Sequence, residues 1–171
     1  MKIPNLTFNQ FCLLPDDEQT KWTTIILAAE NIDVDCRQWA FGRIKELQTM
    51  LSKPFQPDFF NEILKDVLTD YYDLPFHVVL KTFNGIMDSL KAITEIENKS
   101  LSTQLKADEV SAMEAVGGFD RFGKFPQILD LCDGDITKYD SIYNIKWELA
   151  FSTLLYRKTQ YDYQKELYKK K

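Results

Sequence analysis

Apolar residues recur at every third or fourth position along most of this chain, and no other sequence feature limits its fold as strongly. The longest run follows Asp73-Leu74-Pro75 and continues to about Glu97, with apolar residues at Phe76, Val79, Leu80, Phe83, Met87, Leu90 and Ile93. This period places the side chains on one helix face, and a proline near the first helical position is a typical start signal. The sequence therefore predicts a long amphipathic helix from residue 76 to about residue 97.

Local signals predict further helices on both sides of this one. The segment Thr7-Phe8-Asn9-Gln10 has the pattern of a capping box, and Asp35 is the expected N-cap of a helix that ends near Leu51. Gly85, inside the long helix, predicts the close approach of another helix. No segment alternates as a half-buried strand would. We therefore expect an all-α fold with roughly seven or eight helices around one core and a projecting C-terminal helix.

The best internal boundary is the polar stretch Asn98–Thr103, which predicts a hinge. It divides the chain into an N-terminal helical core, residues 1–97, and a C-terminal helical segment, residues 98–171, that packs on it. With 171 residues, of which 44% are hydrophobic, the chain is long enough to bury a core without a metal or a disulfide.

Charge is unevenly distributed between the end of the chain and the rest. Residues 157–171 form a basic arm with six basic and two acidic side chains, a net charge of +4. Residues 1–156 carry 15 basic and 24 acidic side chains, a net charge of −9. Such an arm can contact a neighbouring subunit or a phosphate backbone, although lysines are also favoured at the solvated C-terminus of a helix.

Cysteine and histidine are too few and too dispersed for a metal centre of the usual kinds. Cys12, Cys36 and Cys132 have neither CxxC nor CxxH spacing, and we interpret them as reduced thiols in or near the core. The single histidine, His77, has Leu74 three residues before it instead of the glutamate of a di-iron bundle. We expect His77 to be a packed or surface residue, and we expect no metal and no cofactor.

Clustered carboxylates are the remaining candidates for chemistry. Asp133 and Asp135 fit the first two ligand positions of a twelve-residue calcium loop, but Lys138 replaces its glycine and Asn144 its bidentate glutamate. Capping of a helix by Asp135 explains the pattern better. The sequence therefore predicts a protein that is not an enzyme.

Aromatic residues are the strongest signal for interaction: the chain has 23 Phe, Trp and Tyr residues. Aromatic side chains beside basic ones are enriched in protein interfaces. Trp147 and Phe151 should hold the base of the last helix to the core, while its distal half contacts an adjacent subunit or a neighbouring ring. The predicted interface residues are Phe119, Phe122, Phe125, Trp147, Phe151, Arg157, Tyr161, Lys165 and Tyr168.

Neither export nor a membrane is expected from the sequence. No apolar run approaches the ~20 residues of a membrane span. The first residues, Met1–Asn5, contain no apolar signal core.

Two segments resemble a known class of proteins. The first is the opening LTFNQFCLLPDDEQTKW, residues 6–22, and the second is residues 119–171. In the second segment the likeness is carried by Phe122-Gly123, Leu129, Asp130, Gly134-Asp135-Ile136, Lys138-Tyr139-Asp140, Ile142, Trp147 and Tyr161 to Tyr168. Both resemble small helical proteins from the structural and assembly modules of tailed bacteriophages, of the gut-phage type that includes the crAss-like group.

The resemblance implies a virion protein made in the host cytoplasm. It implies a homo-oligomeric ring at the head–tail neck or in the tail, around the DNA exit path, with the portal or adjacent ring subunits as partners and non-specific contact with packaged DNA. It implies no catalytic residues. A tail-assembly chaperone absent from the mature virion is an alternative from the same class of proteins, and a DNA-binding regulator that uses the basic arm is a further alternative.

Overall fold

The computed structural model describes residues 4–28, 32–52, 58–102, 111, 114–115, 122 and 125–169. Within these residues the α-helices are α1 (Phe8–Cys12), α2 (Asp16–Leu27), α3 (Phe41–Leu51), α4 (Asp58–Leu64), α5 (Phe76–Leu101), α6 (Phe125–Leu131), α7 (Tyr139–Tyr143) and α8 (Trp147–Lys169). Short 3-10 turns occupy Cys36–Gln38, Tyr71–Asp73 and Ile136–Lys138. The fold is all-α, as predicted, and the described ranges contain isolated β-bridges but no strand.

The long predicted helix is α5, and it continues further than expected, to Leu101. The segment predicted as a hinge is therefore helical over its first four residues, from Asn98 to Leu101. Polar side chains on a solvated helix face do not break a helix, and Lys99 in the last turn is favoured by the helix dipole. Thr103, at the end of that segment, lies outside the described residues.

The chain forms two compact units that interleave in sequence. The first unit combines Met1–Cys36 with Pro54–Lys91, and the second combines Arg37–Lys53 with Ala92–Lys171. The boundary between Lys91 and Ala92 falls within α5. The division at residues 97 and 98 stays a prediction, and it differs from these units mainly in the place of Arg37–Lys53.

The first unit is built around stacked aromatic rings. Thr7 caps α1: its hydroxyl accepts a hydrogen bond from the Gln10 backbone N–H (3.2 Å), and the Gln10 side-chain oxygen accepts one from the Thr7 N–H (3.0 Å). The predicted capping box is thus confirmed. It places the Phe8 ring against Phe60, with 5.1 Å between ring centroids, and the Phe11 ring against Phe76 at 4.8 Å.

Gly85 lies where another part of the first unit approaches α5 closely. A Cβ atom built on Gly85 would be 1.9 Å from the backbone oxygen of Ile32, so no side chain fits there. Gly85 does mark a close approach, but the prediction that its neighbour is another helix was wrong: the neighbour is the non-helical segment at Ile32–Val34.

In the second unit, α3 is joined to the segment that precedes α8 by backbone hydrogen bonds. The Phe41 N–H donates to the Ile145 carbonyl (2.7 Å) and the Trp147 N–H to the Trp39 carbonyl (3.0 Å). These bonds require extended backbone at Ala40, so the helix predicted from Asp35 begins only at Phe41. The pairing brings residues 39–41 and 145–147, which are far apart in the sequence, into one unit.

Candidate interface on the C-terminal helix

Helix α8 is fixed at its base by Trp147, which is only 3% exposed. The Trp147 ring stacks on that of Phe151, with 4.8 Å between centroids. Its indole N–H donates a 2.6 Å hydrogen bond to the Glu97 carboxylate. Trp147 is therefore an internal anchor, as expected for the base of this helix, and its burial leaves it no part in an interface between subunits. Phe151 is half-buried beside it.

Glu97 is the centre of a buried polar network in the second unit. Its carboxylate accepts hydrogen bonds from Lys45 Nζ (2.5 Å) and Gln48 Nε2 (2.9 Å), as well as from Trp147. Burial lowers the pKa of Lys45, while the negative charge of Glu97 acts in the opposite direction. The network links α3, α5 and α8, and its side chains satisfy one another. Sequence analysis missed it, because Lys45 and Glu97 are 52 residues apart.

Near the middle of α8, the Arg157 side chain ties the helix to the end of α6. One guanidinium nitrogen donates to the Asp133 carboxylate at 2.7 Å, and the other donates to the Asp130 carbonyl. Asp133 follows α6 in a left-handed conformation (φ 54°), in the turn that Gly134 completes (φ 79°). Arg157 was predicted to be an interface residue, and in this structure it makes these contacts within its own chain.

Beyond Arg157, α8 exposes the tyrosines that the sequence predicted for an interface. Tyr161 is 53% exposed and Tyr168 is 74% exposed. The Lys165 ammonium lies 5.8 Å from the centre of the Tyr161 ring, a cation–π distance. At 3.6 residues per turn, both tyrosines lie within about 60° of the direction of Trp147. They therefore continue the face by which the base of α8 is buried.

A second apolar face of α8 was not recognised from the sequence. Tyr156 follows Trp147 by two and a half turns, so it lies on the opposite side of the helix. The residues at spacings of four and three on that side are Leu149, Thr153, Tyr156, Gln160, Tyr163 and Leu167. We call this set the heptad stripe. Its four large apolar members are between 49% and 65% exposed.

The heptad stripe has the spacing of a coiled-coil seam. Spacings of four and three residues alternate along such a seam. The 18 residue steps from Leu149 to Leu167 extend about 27 Å. Gln160 donates a 2.9 Å hydrogen bond to the Tyr156 hydroxyl on the same stripe. The stripe could have been recognised in the sequence, because residues 149, 156 and 163 are seven residues apart. It was overlooked because Trp147 and Phe151, four residues apart on another face, are the more prominent aromatic pattern.

The other predicted interface residues lie near α6. Phe122 and Phe125 are both exposed, and the Phe125 ring stacks on Tyr139 with 6.1 Å between centroids. Phe119 lies outside the described residues. The structure therefore places Phe125 against α7 and not against the tyrosines of α8.

The next residues are those that the sequence analysis considered for a metal site or for catalysis: Asp135, His77 and the cysteines. Asp135 caps the 3-10 turn Ile136–Lys138: its carboxylate accepts a 3.0 Å hydrogen bond from the Thr137 N–H, and hydrogen bonds from Thr137 lower its pKa. His77 is half-buried on α5, and its Nδ1 has no hydrogen-bond partner among the described residues. Burial raises the pKa of Cys36 to about 11, whereas Cys12 is exposed, contrary to expectation.

Among the residues that the structure describes, no group of three or more His, Cys, Asp or Glu side chains is arranged to hold a metal ion. Nor does any helix in the described ranges combine the length and the apolar character needed to cross a membrane.

Comparison of the chain with protein-family models, with curated proteins and with solved structures yields no match.

Proposed function

We propose that this protein is a non-enzymatic structural subunit of a tailed-phage virion, one of a ring of identical copies at the head–tail neck or in the tail. The proposal starts from the resemblance of residues 6–22 and 119–171 to phage assembly proteins. The observation that carries it is the exposure of Tyr161 and Tyr168 on the distal half of α8. Tyrosines of this kind supply large contact areas at interfaces.

The distal half of α8 is well suited to a contact between subunits. An isolated helix of this length is marginal in water, so partner contacts stabilise an ordered end. Residues 157–171 have a net charge of +4 and the remaining residues −9. The basic end of one copy is therefore attracted to the acidic remainder of the next copy, which guides docking more than it adds affinity.

A ring needs a heterologous contact, in which two different surfaces of each subunit meet. In this proposal Tyr161, Lys165 and Tyr168 form one of these surfaces. The network around Glu97 and the contacts of Arg157 hold the helix that presents it. Their role is structural: they hold the base of α8 in place, so that the distal side chains contact a neighbouring subunit at a defined position.

The proposal predicts that removal of the distal half of α8 abolishes assembly. A chain that ends after Tyr156 should stay folded and helical, because the anchor at Trp147 is retained, yet it should form no ring. The full-length variant Tyr161→Ser/Tyr168→Ser should likewise lose rings without loss of helix. Native mass spectrometry measures the assembly and circular dichroism the fold. Ring formation by both variants would overturn the proposal.

The content of purified virions tests the place of the protein. A ring subunit is present in particles in a fixed ratio to the other neck and tail proteins. A tail-assembly chaperone would be abundant in infected cells and absent from finished particles. Quantitative mass spectrometry of gradient-purified particles decides between these two outcomes.

A further inference from the structure

We propose that the heptad stripe is a docking surface for a second copy of this chain, and that two α8 helices pair along it in antiparallel orientation. The stripe faces away from Trp147, so the side of α8 that is buried within the chain does not use it. It is also on a different face from Tyr161 and Tyr168. The pairing is therefore a second contact, which the ring does not require.

The order of residues in the stripe matches itself when one copy is reversed. In an antiparallel pair, Leu149 of one copy lies opposite Leu167 of the second copy, and the same contact recurs at the other end. Thr153 lies opposite Tyr163, and Tyr156 lies opposite Gln160. Each tyrosine thus meets a smaller or polar side chain, and the Gln160 amide meets a hydroxyl. A parallel pair would instead place Tyr156 on Tyr156 and Gln160 on Gln160.

Charge also favours the antiparallel orientation. Glu148 is in the first turn of α8, and Lys169 is the last residue of the helix. Reversal of one copy brings the acidic first turn of one α8 beside the last turn of the other, with the two helix dipoles antiparallel, whereas a parallel pair brings like ends together. Arg157, beside the midpoint of the stripe, is neutralised by Asp130 and Asp133 in its own chain.

A contact of this symmetry closes after two copies. We therefore expect a dimer of twice 20.0 kDa in dilute solution, before any ring forms. The failure of this inference and the failure of the proposed function are distinguishable. Pairing is measured with the purified chain alone, and the place in a virion is measured on particles.

The two pairs of tyrosines on α8 provide a matched test. Tyr156→Ser/Tyr163→Ser removes two rings from the heptad stripe, and Tyr161→Ser/Tyr168→Ser removes two rings, also seven residues apart, from the other face. The first variant should raise the dimer dissociation constant by about tenfold or more, and the second should change it by less than about twofold. Sedimentation equilibrium gives both constants, and circular dichroism checks the fold.

Equal effects of the two variants, or a wild-type chain that is monomeric at about 100 μM, would overturn the pairing. All four tyrosines are exposed, so neither double variant removes a buried side chain.

Cysteine cross-linking tests the orientation. Leu149→Cys and Leu167→Cys are prepared separately in a Cys12→Ser background, because Cys12 is the exposed native thiol. The mixture of the two variants should oxidise to a mixed disulfide dimer, and either variant alone should give little. A disulfide formed mainly within each single variant would show a parallel pair and overturn the antiparallel arrangement.

Discussion

Glu97 shows how much one buried side chain can determine in this protein. Its carboxylate accepts hydrogen bonds from the Lys45 ammonium and the Gln48 amide on α3 and from the Trp147 indole on α8. Glu97 itself is on α5, so the network joins three helices. A buried carboxylate of this kind is stable only while its partners compensate for the loss of water. The network therefore defines where α8 begins relative to α3 more strictly than apolar packing would.

Glu97→Gln should lower the free energy of unfolding by about 3 kcal/mol, because it leaves the buried Lys45 ammonium without a counter-charge. Urea denaturation followed by circular dichroism measures the change. Lys45→Met/Glu97→Gln is the control: it removes the charge from both positions and should recover part of the loss. A single variant that costs less than about 1 kcal/mol would show that the pair is solvated in solution.

At the scale of the helix, Arg157 separates two parts of α8 that have different roles. Before it, Trp147 and Phe151 are held within the second unit; after it, the tyrosines are exposed. The guanidinium bonds to the Asp130 carbonyl and the Asp133 carboxylate tie this point of α8 to the end of α6. They determine how firmly the distal part is presented.

Arg157→Gln should have a small effect on global stability, about 1 kcal/mol or less, because the ion pairs are solvent-exposed. It should nevertheless speed amide hydrogen exchange in α8 beyond residue 157, measured by mass spectrometry on the dilute chain. Lys158→Gln is the matched control, since its partner Asp162 is on the same helix, 2.6 Å away. Equal acceleration by the two variants would contradict the role given to Arg157.

Patterns among residues close in sequence predicted most of the helices correctly. Contacts between residues far apart in sequence explain the predictions that were wrong. The cap at Thr7 depends on residues close in sequence, and it was predicted. The small size of Gly85 indicated a close approach, but its neighbour, the Ile32 backbone, is not the helix that was expected. The start of α3 was wrong, because backbone bonds from residues 39 and 41 to the segment at 145–147 hold Ala40 extended. No periodicity contains that information.

The candidate site was predicted in part for the same reason. The sequence placed the tyrosines of α8 at seven-residue spacing, and the structure gives their exposure. The sequence also placed Trp147 at the base of the helix, against the core, but its hydrogen bond to Glu97, 50 residues away, could not be predicted from the helix alone. The heptad stripe was recognisable from spacing, but only the structure shows that it lies opposite the buried face.

For the whole molecule, the uneven charge makes a prediction about salt. Self-association that is guided by the basic arm should weaken modestly as ionic strength rises from about 0.05 to 0.5 M, because exposed charges are screened. Lys165→Glu should lower assembly at low salt, and Lys21→Glu, the same charge change on α2, should not. Native mass spectrometry at the two salt concentrations measures both.

Steeply salt-dependent binding of the purified chain to duplex DNA would favour the DNA-binding regulator instead. We expect no such binding at physiological salt, because residues 1–156 carry a net charge of −9.

The interleaving of the second unit has a consequence for the order in which the chain is synthesised. Gln38 and Lys146, joined by a side-chain hydrogen bond, are 108 residues apart. Because α3 is synthesised well before the segment at 145–147, the backbone hydrogen bonds that join the two cannot form until the later segment has left the exit tunnel. Until then the buried residues of α3, among them Phe41, Ile44 and Leu47, lack part of the unit that surrounds them in the finished fold. The nascent chain is therefore more prone to aggregation during that interval.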